Sequence, residues 1–170
     1  MVWLFYEVTN SKLNRSSFDC GISELNDYLQ RYAGQNHKKG VAKTWVMIDQ
    51  DHPEVPVGYY SISMAELQQT SLSTEEKKGF PRYPLPVIKI GKLAVDCQFQ
   101  GEGLGELLLV DIFKRGIRIS KEIGTVGFFV DVINERAKCF YLKYGFLSLV
   151  DSPLSLFLPM KKIVDFNLDN

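Results

Sequence analysis

Three glycines in five residues, Gly101, Gly103 and Gly105, stand between a strand-like run and a long apolar helical pattern. Glycine reaches positive φ without steric cost. The segment Gln100-Gly-Glu-Gly-Leu-Gly105 therefore reads as a tight strand-to-helix turn whose backbone a ligand can approach. The first N–H groups of the following helix have no intrahelical acceptor, and the helix dipole adds positive potential there. That combination suits a pyrophosphate. A turn that only links strand to helix is an equal alternative for a motif this short. No Gly-Lys-Ser/Thr follows, which excludes a Walker loop. The glycine spacing, deep in the chain and after an apparent antiparallel meander, excludes a Rossmann fingerprint.

The flanking chain reads as alternating elements. Val2 to Val8, Thr44 to Ile48, Val57 to Met64 and Val87 to Val95 are rich in β-branched and aromatic residues and predict strands. Leu25, Tyr28, Leu29 and Tyr32 recur at helical spacing, and Gly34 to Gly40 is expected to be a polar stop. Gln68 to Pro86 is an irregular stretch suited to a loop with a short helix, and such loops often border binding sites. Leu104 to Ile119 predicts an apolar helix buried on most sides, with Asp111, Lys114, Arg115, Arg118 and Glu122 as its polar stripe. Val126 to Val132 suits a central strand. Asn134 can cap a helix from Glu135 to Tyr144, closed by Gly145, and strands follow at Phe146 to Val150 and Leu154 to Leu158. This order predicts an α/β or α+β fold, a mixed sheet with helices on both faces. The 170 residues, 45% apolar, amount to one domain over 1–170.

Charge and cysteine use narrow the function classes. Twenty basic residues balance twenty acidic ones, which excludes a generally cationic nucleic-acid binder but leaves room for a local basic patch. No apolar run approaches the ~20 residues of a membrane span, and the opening residues lack the features of a signal peptide. Cys20, Cys97 and Cys139 are odd in number and widely spaced, as in a reducing, cytoplasmic compartment. Neither His37 nor His52 stands at metal-ligand spacing from a cysteine, so no metal site is expected.

Three segments carry a resemblance to a known family. Gln100-x-x-Gly103-x-Gly105 resembles the pyrophosphate loop of GNAT N-acetyltransferases, and Gly91-Lys-Leu-Ala-Val-Asp96 resembles their acetyl-CoA strand. Asn134-Glu-Arg-Ala-Lys-Cys-Phe-Tyr-Leu-Lys-Tyr-Gly-Phe146 is similar to their Asn-x-x-Ala-x-x-Phe-Tyr-x-x-x-Gly-Phe segment. The resemblance implies a GNAT fold, with a mostly antiparallel central sheet splayed at the acetyl-CoA site. It also implies acetyl-CoA as co-substrate, bound by Leu93, Ala94, Val95, Gln100, Gly101, Glu102, Gly103, Leu104, Gly105 and Asn134. A narrower resemblance, to the GNAT toxins of type II toxin–antitoxin modules, rests on Phe18-Asp-Cys-Gly21, Leu25-Asn26, Leu29, Ala33 and Gln35. Gly58-Tyr-Tyr, Pro84-Leu-Pro86 and Leu156-Phe-Leu-Pro-Met160 extend it along the chain. It implies acetyl transfer to the α-amine of aminoacyl-tRNA, a ribbon-helix-helix antitoxin as partner, and a homodimer.

Amide formation from a thioester needs a neutral amine, a stabilised oxyanion and a proton for the departing thiolate. The resemblance makes Tyr141 the acid, although Ala137, Phe140, Tyr141 and Tyr144 also form an apolar helix face on which tyrosines are usually core. The oxyanion is expected at a backbone N–H near Leu93 to Val95. The strand holding Lys89 and Lys92 carries no carboxylate to act as base, though Glu66 can supply one. An α-amine titrates near ~8 against ~10.4 for a lysine, so the missing base favours an α-amine substrate. Lys12, Arg15, Arg31, Lys38, Lys39 and Lys43, with Arg82, Lys89 and Lys92, are the cations available to tRNA. The alternatives are a GNAT enzyme acting on a small amine or protein N-terminus, and a non-catalytic acyl-CoA-binding module.

Overall fold

Aromatic and β-branched residues place the first three strands where their pattern predicts. In the computed structural model, which describes residues 1–164, β1 (Trp3–Glu7) pairs antiparallel with β2 (Lys43–Asp49), Trp3 opposite Asp49. β2 pairs antiparallel with β3 (Gly58–Leu67), Met47 opposite Gly58. β4 (Leu85–Val95) pairs in parallel with β5 (Gly127–Asp131), and β5 pairs antiparallel with β7 (Ser155–Pro159), whose other neighbour is β6 (Leu147–Ser148). The seven-stranded sheet runs β1-β2-β3-β4-β5-β7-β6, mixed and mostly antiparallel as expected. The parallel step needs a crossover of a dozen residues or more, which α3 (Leu104–Ser120) provides. The last six residues of the expected domain, 165–170, lie outside the described residues.

The chain divides into two compact units, Met1–Ser63 with Gly91–Ile112, and Met64–Ile90 with Phe113–Asn170. In the first, Val8, Phe18, Leu29, Ala33, Val46, Ile48, Tyr59 and Ala94 form the buried core. Gly58 matters there because a Cβ would lie 3.0 Å from the Ala94 carbonyl oxygen and 3.1 Å from Leu108 Cδ1. In the second, Leu67, Leu72, Leu85, Val87, Leu149 and Phe157 form the core, and Phe113 meets Phe128 edge-on at 5.2 Å.

The helical segment after β1 departs from expectation. It begins as α1 (Ser23–Asp27), passes through a π-helical turn at Tyr28–Tyr32, and continues as α2 (Ala33–Lys39). A π turn inserts extra residues into the winding and rotates the apolar stripe. The buried positions become Leu29, Ala33 and His37, while Tyr32 is 50% exposed. Gly34 to Gly40 is therefore helix rather than a polar stop. Gly40 ends it at φ 76°, with the Val41 N–H on the Asn36 carbonyl and the Gly40 N–H on that of His37. α3 is exposed only at Glu106, Leu107, Lys114 and Arg118, and its other positions are buried or half-buried, as expected.

Candidate active site

The glycine loop rests on a polar lattice built within the first unit. At the end of β4, Asp96 caps a 3-10 turn (Cys97–Phe99), its Oδ1 accepting the Gln98 N–H at 2.9 Å. Its Oδ2 accepts the Asp19 N–H at 2.9 Å, and the Cys97 N–H returns to the Asp19 carbonyl at 2.8 Å. Asp19 Oδ1 accepts from the Gly21 N–H and from Asn26 Nδ2, both at 2.9 Å. These two bonds hold its carboxyl below the usual range. Gln100 closes the lattice, its Nε2 donating to the carbonyls of Val95 at 2.8 Å and Cys20 at 3.1 Å. Asp19, Cys20, Gly21 and Asn26, within the N-terminal segment that carries the narrower resemblance, thus hold the base of the loop.

Beyond this foundation the loop backbone is open. Gly101 and Gly103 have φ of 82° and 79°, and nothing lies within 4 Å of a Cβ built at either. Gly101, Glu102 and Gly103 are exposed, Gly105 is half-buried, and only the Leu104 side chain is buried. Among the described residues, no protein acceptor meets the peptide N–H groups of residues 101–105. They stand at the N-terminus of a 17-residue helix. The arrangement is a row of free donors at a helix N-terminus, a geometry that suits an anion.

β4 supplies the adjoining strand. Its pairing with β5 covers Ile88, Lys89 and Ile90, and it runs on to Val95 with no further β5 partner among the described residues. Leu93 and Val95 are half-buried and Ala94 is buried. In the second unit, Lys89 pairs with Asp131 at 3.8 Å. In the first, the Lys92 ammonium lies 4.9 Å above the Tyr28 ring. The Tyr28 hydroxyl lies 3.3 Å from Ser61 Oγ, which also accepts from Thr44 Oγ1, and it accepts from Asn36 Nδ2 at 3.5 Å. Burial works to raise the Tyr28 phenol, but these hydrogen bonds and the Lys92 charge outweigh it and lower the phenol below its ordinary value. Tyr28 was legible only as a helix-stripe residue.

The two remaining predicted site residues lie in the second unit, on α4 (Glu135–Leu142). Asn134 caps the helix, its Oδ1 accepting the Ala137 N–H at 2.9 Å, which leaves its Nδ2 as a donor. Tyr141 is 5% exposed, with Phe140 and Phe146 edge-on at 5.0 and 5.2 Å. Burial pushes its phenol far up, so the hydroxyl keeps its proton at any physiological pH. Among the described residues no protein group hydrogen-bonds that hydroxyl. Glu66 is exposed in the same unit.

Several of the expected tRNA cations are engaged within the protein. Arg15 donates to the Leu29 carbonyl, Arg31 pairs with Asp27, and Lys43 donates to the His37 carbonyl. Among the described residues no group of three or more His, Cys, Asp or Glu is arranged to hold a metal ion. No described helix is long and apolar enough to cross a membrane.

No family model matches the chain. Among curated proteins it is 32% identical over 146 residues, 86% of each chain, to the tRNA-acetylating toxin of Mycobacterium tuberculosis. The chain belongs to the tRNA-acetylating toxins. Its fold is that of solved toxins as well. A tyrosine-to-phenylalanine mutant of KacT matches with a TM-score of 0.91 and 29% identity, over 97% of this chain and 99% of that one. AtaT complexed with acetyl-methionyl-tRNAfMet matches at 0.89 and 26%, over 96% and 98%. AtaTR bound with acetyl-CoA matches at 0.82 and 27%, over 95% and 96%. The GNAT fold expected from the three motifs is the fold observed.

Proposed function

We infer that this protein transfers acetyl from acetyl-CoA to the α-amine of an aminoacyl-tRNA and thereby blocks translation. The observation that carries the reading is the row of unpartnered peptide N–H groups at 101–105, at the N-terminus of α3. The substrate comes from the relatives, one named a tRNA-acetylating toxin and another solved with acetyl-methionyl-tRNAfMet.

The residues present fit acetyl-CoA. The glycine cradle has room for phosphate oxygens where any Cβ would point, and Glu102 is the one carboxylate within it. Gln100 fixes the base of the cradle, and Leu93, Ala94 and Val95 present backbone donors and acceptors to the pantetheine and the oxyanion. Asn134 Nδ2 adds a donor. Bound acetyl-CoA supplies the activated thioester. Tyr141 holds, at its hydroxyl, the proton that the departing thiolate takes, and burial keeps that proton in place until the thiolate forms. An α-amine titrates near ~8 and is partly neutral at working pH, so no strong base is required. The tyrosine-to-phenylalanine variant of KacT agrees with a tyrosine of consequence in this family.

The same reading makes the protein cytoplasmic, a homodimer, and the partner of a ribbon-helix-helix antitoxin. The test follows free thiol during incubation with acetyl-CoA and charged tRNA. Thiol release is expected with charged tRNA and not with uncharged tRNA. Equal release with both contradicts the reading.

A further inference from the structure

The loop between β3 and β4 encloses a cleft of about 350 Å³, lined by Gln68, Gln69, Thr70, Lys77, Arg82 and Tyr83. Ligand clefts start near ~300 Å³, so this one is large enough for a group the size of one nucleotide. Its lining is chemically selective. No aliphatic side chain contributes, which excludes an acyl chain or a lipid tail. Two cations, two carboxamides, a hydroxyl and one aromatic ring remain.

The cations are uncommitted. Among the described residues neither Lys77 nor Arg82 makes an ion pair, although carboxylates are close in sequence. Glu75 pairs instead with Lys78 at 4.0 Å, and Glu76 Oε1 accepts the Ser73 N–H. Tyr83 is 63% exposed, unusual for a ring of that size, and it stands between Pro81 and Pro84. Proline drives the residue before it to extended backbone, so Pro84 restricts the Tyr83 main chain to extended conformations. An exposed ring beside two uncommitted cations is a composition suited to single-stranded nucleic acid: the ring can stack a base and the cations can meet phosphates.

We propose that this cleft is a nucleotide subsite for a single-stranded segment of the tRNA substrate, with Tyr83 stacking a base and Lys77 and Arg82 contacting flanking phosphates. It rests on the acetyltransferase reading above for the identity of the RNA. The ring and amides are placed to engage base faces and edges, and the diphosphate of acetyl-CoA is provided for separately at 101–105.

The test measures the affinity of uncharged tRNA across a salt series for wild type, Tyr83→Ala, Tyr83→Phe and Lys77→Ala/Arg82→Ala, with acetyl-CoA affinity read by calorimetry in parallel. Tyr83→Ala is expected to weaken tRNA by about 5- to 100-fold and leave the salt slope unchanged, with Tyr83→Phe retaining affinity. The double variant is expected to weaken tRNA and reduce the slope of log Kd against log salt by about 1.4, ~0.7 for each single-strand phosphate. Acetyl-CoA affinity is expected to stay constant in all of them. Unchanged tRNA affinity and slope overturn the subsite, and so does a parallel loss of acetyl-CoA affinity, which would assign the cleft to the coenzyme. Because binding is read with uncharged tRNA, a failure of acetyl transfer in the wild type bears on the functional reading and leaves this test intact.

Discussion

Gln100 donates to the Val95 carbonyl at 2.8 Å and, with the same nitrogen, to the Cys20 carbonyl at 3.1 Å. The first residue of the glycine loop thereby ties the end of β4 to the segment that precedes α1, and the loop begins from a fixed point. Gln100→Leu keeps the bulk and removes both bonds. It is expected to cost about 1–3 kcal/mol of stability in urea unfolding and to weaken acetyl-CoA as the loop loses its anchor. Full affinity with reduced stability would confine Gln100 to a structural role.

Gly103 has φ 79° and open space where a side chain would point, so its substitutions separate conformation from charge. Gly103→Ala bears only the left-handed penalty, roughly 1–2 kcal/mol, and is expected to retain measurable acetyl-CoA binding. Gly103→Asp adds an anion where a phosphate would sit and is expected to abolish binding in calorimetry. Equal effects of the two would remove the diphosphate from this loop.

Tyr141→Phe deletes a hydroxyl that no described protein group engages. Stability and acetyl-CoA affinity are expected to hold, while the acetylation rate falls by about 10²- to 10⁴-fold, the range for loss of a general acid. A fully active variant would dismiss Tyr141 as the acid and leave the fold and the loop untouched.

Burial raises the phenols of Tyr59 and Tyr141 above their ordinary value. The native protein then holds protons that the unfolded chain releases near ~10. Stability is expected to be intact below about pH 10 and to decline above it, by up to ~1.4 kcal/mol per pH unit for each tyrosine. Urea midpoints across that range check the sign, and a protein that gains stability above about pH 10 would contradict it.

His37 accepts the Thr44 N–H at Nδ1, 3.0 Å away, and is only 5% exposed. His37→Ala strands a buried donor and is expected to cost about 2–3 kcal/mol. The effect should appear in thermal or urea unfolding with acetyl-CoA affinity nearly unchanged.

His37 also marks where sequence reading stopped. Local pattern located every strand, the cap at Asn134 and the left-handed Gly145, because alternation, capping and positive φ are properties of a few adjacent residues. The π turn at Tyr28–Tyr32 is not such a property. It shifts the buried stripe onto Ala33 and His37, positions that polar neighbours such as Gln35 and Lys38 disguise as a surface stop. The turn at 100–105 was visible through its glycines, but its foundation was not. Asp19, Asn26 and Asp96 meet across up to 77 residues of chain, and only the folded backbone brings them together. Similarly, nothing in the spacing of Lys89 or Lys92 indicates that one pairs with Asp131 and the other covers Tyr28.

The most direct test of acetyl transfer to charged tRNA is mass spectrometry of the aminoacyl adenosine released from charged tRNA after incubation with the protein and acetyl-CoA. The expected product carries one acetyl group on the α-nitrogen, formed by the wild type and nearly absent with Tyr141→Phe. An unmodified aminoacyl group, alongside wild-type protein that binds acetyl-CoA normally, would contradict the account.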